Sequence, residues 1–283
     1  VSPDTGGWLR RRDSAEPAPA LPPGVVFDAD LAYGRWPAQR LDVYRPAQAQ
    51  AAPVLVVVHG GAWITGDKQQ PQVVGHKLAH WGPKGWILVA LNYRRLPWAD
   101  PREQAADVAR ALAFVQRECA GWGGDAGRIV VLGHSTGAHL AALVLADTAL
   151  AADAGCKPPA AAVLVDSAAL DVVEVMQGVH LPLHDRAFGD AREGWESASP
   201  WHRAATLTAP PPVLLVCSSL REDSVRQSER FAARLVERGG RARSLPLALT
   251  HAELNERLGQ EGEPTEAVDA FLAEVFAPVA AAG

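Results

Sequence analysis

Gly133-His134-Ser135-Thr136-Gly137 stands between an apolar run, RIVVL, and a helical one, AHLAALVLA. A serine hydroxyl of ordinary acidity is a poor nucleophile; it becomes useful where a sharp strand-to-helix turn exposes it above a sheet. Glycines two before and two after let the strand and helix backbones approach closely. The helix N-terminus favours negative charge developing there. An ordinary N-cap serine uses the same residue type, but it needs neither flanking glycine nor the preceding strand. Ser135 is the candidate nucleophile.

Such a serine needs a base, and the base needs a carboxylate to hold it. In a strand-turn-helix nucleophile fold the partners follow in the order serine, acid, histidine. Of the nine histidines, His59, His76, His80, His134 and His139 precede or adjoin Ser135, while His180, His184 and His202 lie in an irregular stretch. His251, in LALTHAELNERLG, follows a further strand-like segment and is the candidate base. The acid is expected just after VLLVC, where SSLREDS offers Asp223 first and Glu222 second. Asp166, after the run AVLVD, is a third candidate if the acid comes one strand earlier. His76 and His80 have the i, i+4 spacing of a metal-ligand pair, but HKLAH lacks the glutamate of a zinc-dependent hydrolase, so no metal is expected.

The elements that must position these residues are legible in the apolar spacing. GVVFDADLAYG and QRLDVYRP alternate apolar with polar residues and predict an antiparallel pair. APVLVVVHGG, GWILVALNY, RIVVLGHS, AAAVLVDSA and PPVLLVCSS are nearly continuous apolar runs, as strands buried on both faces require. ARSLPLAL is a weaker strand whose Pro246 points to a sheet edge. Helices are predicted around Gln70 to Trp81, Pro101 to Cys119, over GAHLAALVLADTAL, over SVRQSERFAARLVERGG and from Glu263 to Phe276. Strands separated by helices imply an α/β fold: a mostly parallel central sheet, helices on both faces, and an antiparallel N-terminal edge.

The 283 residues are then read as a Pro- and Ala-rich arm over residues 1–24 and a single domain over 25–283. Residues 171–207 lack alternation and are long for a connection, which suggests a small cap-like segment over a site. A net charge of −5 gives no electrostatic case for nucleic acid or anionic membrane, and no run reaches the roughly 18 apolar residues of a membrane span. Cys119, Cys156 and Cys217 are odd in number and widely spaced, so buried thiols are expected. Nine tryptophans against three tyrosines decide nothing about substrate.

Several segments together resemble a known group. His59-Gly60-Gly61-Ala62-Trp63 with Gly66-Asp67-Lys68, LNYRRLP, and GGDAGRIVVLGHSTGAH resemble the α/β-hydrolase superfamily, in its esterase/lipase branch with an HGG-type oxyanion loop. DLAYG, LDVYRP, DSAALD, DRAFGD, SPWH, CSSLREDSV and HAELN are similar to the bacterial BD-FAE group, named for bifunctional feruloyl and acetylxylan esterase activity. The resemblance spans roughly Asp28 to Phe276. It implies Ser135 as nucleophile, Asp223 as acid and His251 as base, with an oxyanion hole at Gly60, Gly61, Ala62 and Thr136. Thr136 stands where the branch usually has alanine, and Ala62 where many relatives have glycine or an aromatic residue.

The expected reaction is cofactor-independent hydrolysis of small or aryl esters through an acyl-serine. An amidase such as an arylformamidase, or a non-catalytic ligand-binding relative, is the alternative. Trp63, His134, Met176, His180, Trp195 and Trp201 are the candidate pocket walls, with His184 beside them. Group members are often exported or lipid-anchored behind a removed N-terminal segment, so an exported or envelope location is the leaning and a cytoplasmic one the alternative. The partner expected is a small-molecule ester; oligomeric state is not legible.

Overall fold

The structure, a computed structural model, describes residues 21–167 and 169–277, so the expected arm lies outside the described residues except for 21–24. The strands are β1 (Val25–Ala32), β2 (Arg40–Pro46), β3 (Ala52–Val58), β4 (Ile87–Leu91), β5 (Gly124–His134), β6 (Ala161–Val165), β7 (Val213–Ser218) and β8 (Ala242–Leu247). The main helices are α1 (Pro71–Trp81), α2 (Pro101–Glu118) and α3 (Thr136–Ala146), followed by the short α4 (Thr148–Asp153). The segment expected to be a cap folds as four short helices, α5 (Val172–Gln177), α6 (Pro182–Phe188), α7 (Arg192–Ser197) and α8 (Pro200–Arg203). Then come α9 (Glu222–Glu237), α10 (His251–Glu256) and α11 (Glu263–Phe276).

All eight strands form one sheet in the order β1-β2-β4-β3-β5-β6-β7-β8. β1 pairs antiparallel with β2 and β2 antiparallel with β4, whereas every later pairing is parallel. β8, the strand that Pro246 interrupts, is an edge, where a missing N–H costs no ladder bond on the open side.

The continuous apolar runs are buried on both faces because successive side chains alternate between two cores. Val54, Val56 and Val58 of β3 join Ala105, Leu112, Leu140 and Phe231 on the α2, α3 and α9 face. Leu55 and Val57 join Val74, Leu78 and Phe271 on the α1 and α11 face. The helical run predicted as one element over residues 137–150 is broken at Asp147. Its buried side chain accepts from the Leu150 N–H and starts α4 instead of continuing α3. The three cysteines are buried and unbonded. Among the described residues no helix is long and apolar enough to cross a membrane.

Candidate active site

The parallel strands share a direction, so their C-terminal ends deliver residues to one edge of the sheet, where open α/β folds place their sites. His59 follows β3, Ser135 follows β5, Asp166 follows β6 and His251 lies beyond β8. Ser135 has φ 57° and ψ −120°, the strained turn expected between strand and helix. The glycines around it are obligatory. A Cβ on Gly133 would collide with the Gly137 carbonyl, and one on Gly137 with the Val58 carbonyl. Four of the seven described non-glycine residues with positive φ, namely Ala62, Trp63, Ser135 and Asp166, line one cavity. Backbone strain in this molecule therefore concentrates at a single place, as it does at functional sites.

Ser135 Oγ lies 3.0 Å from His251 Nε2, and His251 Nδ1 lies 2.6 Å from Asp166 Oδ2. With Nδ1–H donating to Asp166, Nε2 is free to accept from the serine hydroxyl. The structure does not bring Asp223 to His251. Asp223 sits in the first turn of α9 with its side chain half exposed, and its nearest cation is Arg221, 3.6 Å away. Glu222 is exposed beside it. The reason is register. His134 of β5 pairs with Val165 of β6, so Ser135 and Asp166 leave the sheet side by side, each as the first residue after its strand. Asp223 stands well beyond the end of β7, at the start of the next helix.

The β7 end instead supplies donors to Asp166. The Ser218 N–H and Ser224 hydroxyl donate to Oδ1 at 2.8 and 2.5 Å, and Arg221 Nη1 donates to Oδ2 at 2.8 Å. Burial alone would push the Asp166 carboxyl up. The His251 hydrogen bond and the Arg221 charge outweigh it, and the carboxyl stays well below the usual carboxylate range.

Gly60, Gly61, Ala62 and Thr136 all line the cavity. The loop that carries the first three is held from beneath by the motif residues around it. The Tyr93 hydroxyl donates to the His59 carbonyl at 2.9 Å, and the two rings stack at 4.5 Å. His59 Nδ1–H donates to the Gly60 carbonyl at 2.7 Å, and burial pushes His59 down to about 4, so it stays neutral as a strut. Arg95 donates to the Gly66 carbonyl, Asn92 accepts from Lys68 N–H and donates to Asp67, and Lys68 Nζ reaches the buried Asp42 at 2.9 Å. The Thr136 hydroxyl oxygen is itself buried.

The expected pocket walls separate into two groups. Trp63 and His134 line the cavity. Trp63 Nε1 donates to His139 Nδ1, and its ring packs edge-on against His184 and Phe188. His134 donates Nε2–H to the His251 carbonyl at 3.0 Å; burial, then repulsion from His251, pushes it down to about 3. Met176, His180, Trp195 and Trp201 do not line the cavity. Met176 packs in the core, and His180 is turned to Asp185. Trp195 donates to the Gly189 carbonyl, and Trp201 lies under the Arg230 and Arg234 guanidinium groups. In a chain of four short helices, each turn swings neighbouring side chains to opposite sides, and proximity in sequence does not select the inward ones.

The cap residues that do reach the cavity are Leu181, Leu183 and His184 of the α6 region. Gln70, Gln72, Asn255 and Glu256 add polar lining to the cavity, and Arg221 lies beside Asp166. None of these was singled out from sequence except His184. The cavity measures about 550 Å³. His76 is exposed and His80 faces Asp269 at 2.8 Å; among the described residues no cluster of three or more His, Cys, Asp or Glu could hold a metal ion.

Comparison with known proteins gives a family match over part of the chain and a likeness of fold over most of it. The family model described as BD-FAE matches residues 41–163. The "Probable isoprenylcysteine alpha-carbonyl methylesterase ICMEL1" of Oryza sativa is 36% identical over 121 residues, 42% of this chain and 28% of that protein. The "Probable carboxylic ester hydrolase LipM" of Mycobacterium tuberculosis is 40% identical over 123 residues, again 42% of this chain and 28% of that protein. The chain thus spans about a quarter to a third of the length of the curated relatives it matches. Among solved structures, esterase B from Lactobacillus rhamnosis superposes with a TM-score of 0.74 at 20% identity, covering 91% of this chain and 87% of that one. A truncated carbohydrate esterase from gut microbiota gives 0.76 at 17% identity, covering 92% and 99%. At such identities the structural likeness speaks for the fold. The chain has the α/β-hydrolase fold, and its residues 41–163 match the family model described as BD-FAE.

Proposed function

We propose that the chain is a serine carboxylic-ester hydrolase in which Ser135, His251 and Asp166 form the catalytic triad. The observation that carries the reading is the continuous line of hydrogen bonds, Ser135 to His251 at 3.0 Å and His251 to Asp166 at 2.6 Å, at the strained turn beside the HGG loop. His251 Nε2 takes the proton as Ser135 Oγ attacks the ester carbonyl. Asp166 holds the tautomer and stabilises the imidazolium. Negative charge on the carbonyl oxygen is met by the N–H groups of Gly61, Ala62 and Thr136, each such donor contributing roughly 3 kcal/mol to the barrier reduction. The imidazolium then protonates the leaving alcohol, and water, activated by the same histidine, hydrolyses the acyl-serine. No cofactor takes part.

Trp63, Leu183 and His184 give the cavity an apolar and aromatic side, and on this reading the substrate is a small or aryl ester. The relatives named methylesterase and carboxylic ester hydrolase point to the same bond type, through a shared segment only.

The test compares Ser135→Ala, Asp166→Asn and Asp223→Asn on a short-chain aryl ester, with a matched anilide alongside. Ser135→Ala is expected to abolish fluorophosphonate labelling and turnover. Asp166→Asn should lower kcat by roughly 10⁴-fold because an amide there holds the imidazole in the wrong tautomer and cannot stabilise the imidazolium. Asp223→Asn should leave kcat unchanged. A large loss in Asp223→Asn with none in Asp166→Asn would overturn the acid assignment, and preferential turnover of the anilide would overturn the ester reading.

A further inference from the structure

Arg221 belongs to the turn between β7 and α9 and points back at the triad. Its Nη1 lies 2.8 Å from Asp166 Oδ2 and 2.9 Å from His251 Nδ1, and its Nη2 lies 3.6 Å from Asp223 Oδ2. A guanidinium only donates, and Nδ1 cannot accept while it carries the proton that it gives to Asp166. In the reacting tautomer, therefore, the Arg221 and His251 N–H groups are two donors converging on one carboxylate oxygen. A permanent positive charge then stands against the ring that must itself become positive.

We propose that Arg221 is a positioning residue of the triad, acting through Asp166 and His251. This inference rests on the hydrolase reading above. Arg221 has two effects. It completes the set of four donors on the Asp166 carboxylate, with Ser218 N–H, the Ser224 hydroxyl and His251, which fixes the acceptor in place. It also opposes the imidazolium. Once formed, the imidazolium gives its proton from Nε2 to the leaving alcohol more readily.

The other groups around His251 do not supply this charge. His134, whose ring lies 4.6 Å away, is buried and pushed down to about 3, so it is neutral. Lys77 of α1, which burial pushes down to about 7, is charged in the acid range, but its Nζ donates to the Gln72 carbonyl and to the Asn255 carbonyl and amide oxygen rather than to Asp166. His184, on the facing cap, is lowered by burial. Asp223 stands behind Arg221 and Glu256 on the far wall, both opposite in sign. Arg221 is about one-third exposed, so solvent weakens its influence without removing it.

The experiment is the pH profile of kcat/KM for a short-chain aryl ester in the wild type, Arg221→Met, Arg221→Gln and Arg221→Lys. Thermal transitions and fluorophosphonate labelling are recorded on the same samples. That profile reports the free enzyme's essential groups. In the two neutral variants the acid limb is expected to move up by about one pH unit, with a lower plateau. Lysine keeps the charge without the planar fork, so Arg221→Lys should return the limb toward wild type while the plateau stays low. Folded, labelled neutral variants whose limb does not move would overturn the inference and leave the hydrolase reading intact. A wild type that fails to label at Ser135 would overturn that reading itself. Should one neutral variant not fold, the other and the lysine variant carry the same comparison.

Discussion

Two walls of one cavity are built by different forces. The His59–Lys68 loop is tied down by buried polar bonds: Tyr93 to the His59 carbonyl, Gln104 to the Trp63 carbonyl, Asn92 to Lys68 and Asp67, and Lys68 to Asp42. The cap helices α5–α8 reach the same cavity through the side chains of Leu181, Leu183 and His184, with His184 and Phe188 packed edge-on against Trp63. Their rim is open, with Val179 fully exposed and Leu181 41% exposed. Oxyanion stabilisation requires donors fixed to within fractions of an ångström, whereas enclosing an acyl group requires only shape. On the proposed function, the loop governs rate and the cap governs which ester is taken.

The sharpest break of that contrast lies deepest. Lys68 and Asp42 are both buried, and Asp42 keeps only neutral donors, the Asp30 N–H and Gln69 amide, once the lysine is gone. Lys68→Met is expected to cost about 3 to 5 kcal/mol of stability, since it strands a buried carboxylate. Asp42→Asn added to it should recover most of the loss. Denaturant midpoints measure both, and a Lys68→Met protein as stable as wild type would mean that the loop is not anchored there.

How much of this was legible differs between the same regions. The strands β3 and β4 were readable because burial on both faces leaves no polar residue to break the run. The meeting of Ser135 with His251 was readable because a strand-turn-helix glycine pattern and a fixed order of partners constrain them. Which carboxylate meets His251 was not, because the order rule does not say which strand carries it. Asp223 and Glu222 lie in a turn of the right polarity, while the signal for Asp166 is a register: it leaves β6 level with Ser135 leaving β5, and a pairing register is not written in either strand alone. The inward face of the cap was hidden for a related reason. Helices of four to seven residues are too short for apolar spacing to mark a face.

A smaller effect separates holding the loop from holding the fold. Tyr93→Phe removes the donor to the His59 carbonyl and leaves that buried oxygen short of a partner, worth about 1 to 3 kcal/mol. The ring stack on His59 remains, so we expect a roughly tenfold lower kcat with KM unchanged, the mark of an interaction used in the transition state. A rise in KM without loss of kcat would show the loop acting on substrate binding instead.

The mildest change belongs to the cap and should have the opposite signature. Leu183→Ala trims a half-buried residue of the cavity wall and removes none of the groups that carry charge in the proposed reaction. Half-exposed apolar surface contributes at most about 1 kcal/mol here, so kcat on an acetyl ester should hold while the kcat/KM ratio of hexanoyl to acetyl aryl esters rises by roughly fivefold. The ratio is the informative quantity, because a variant that merely loosened the protein would lower both substrates together. If the acetyl and hexanoyl esters fell in parallel, the cap would be a support for the triad, and the division of labour between the two walls would be wrong.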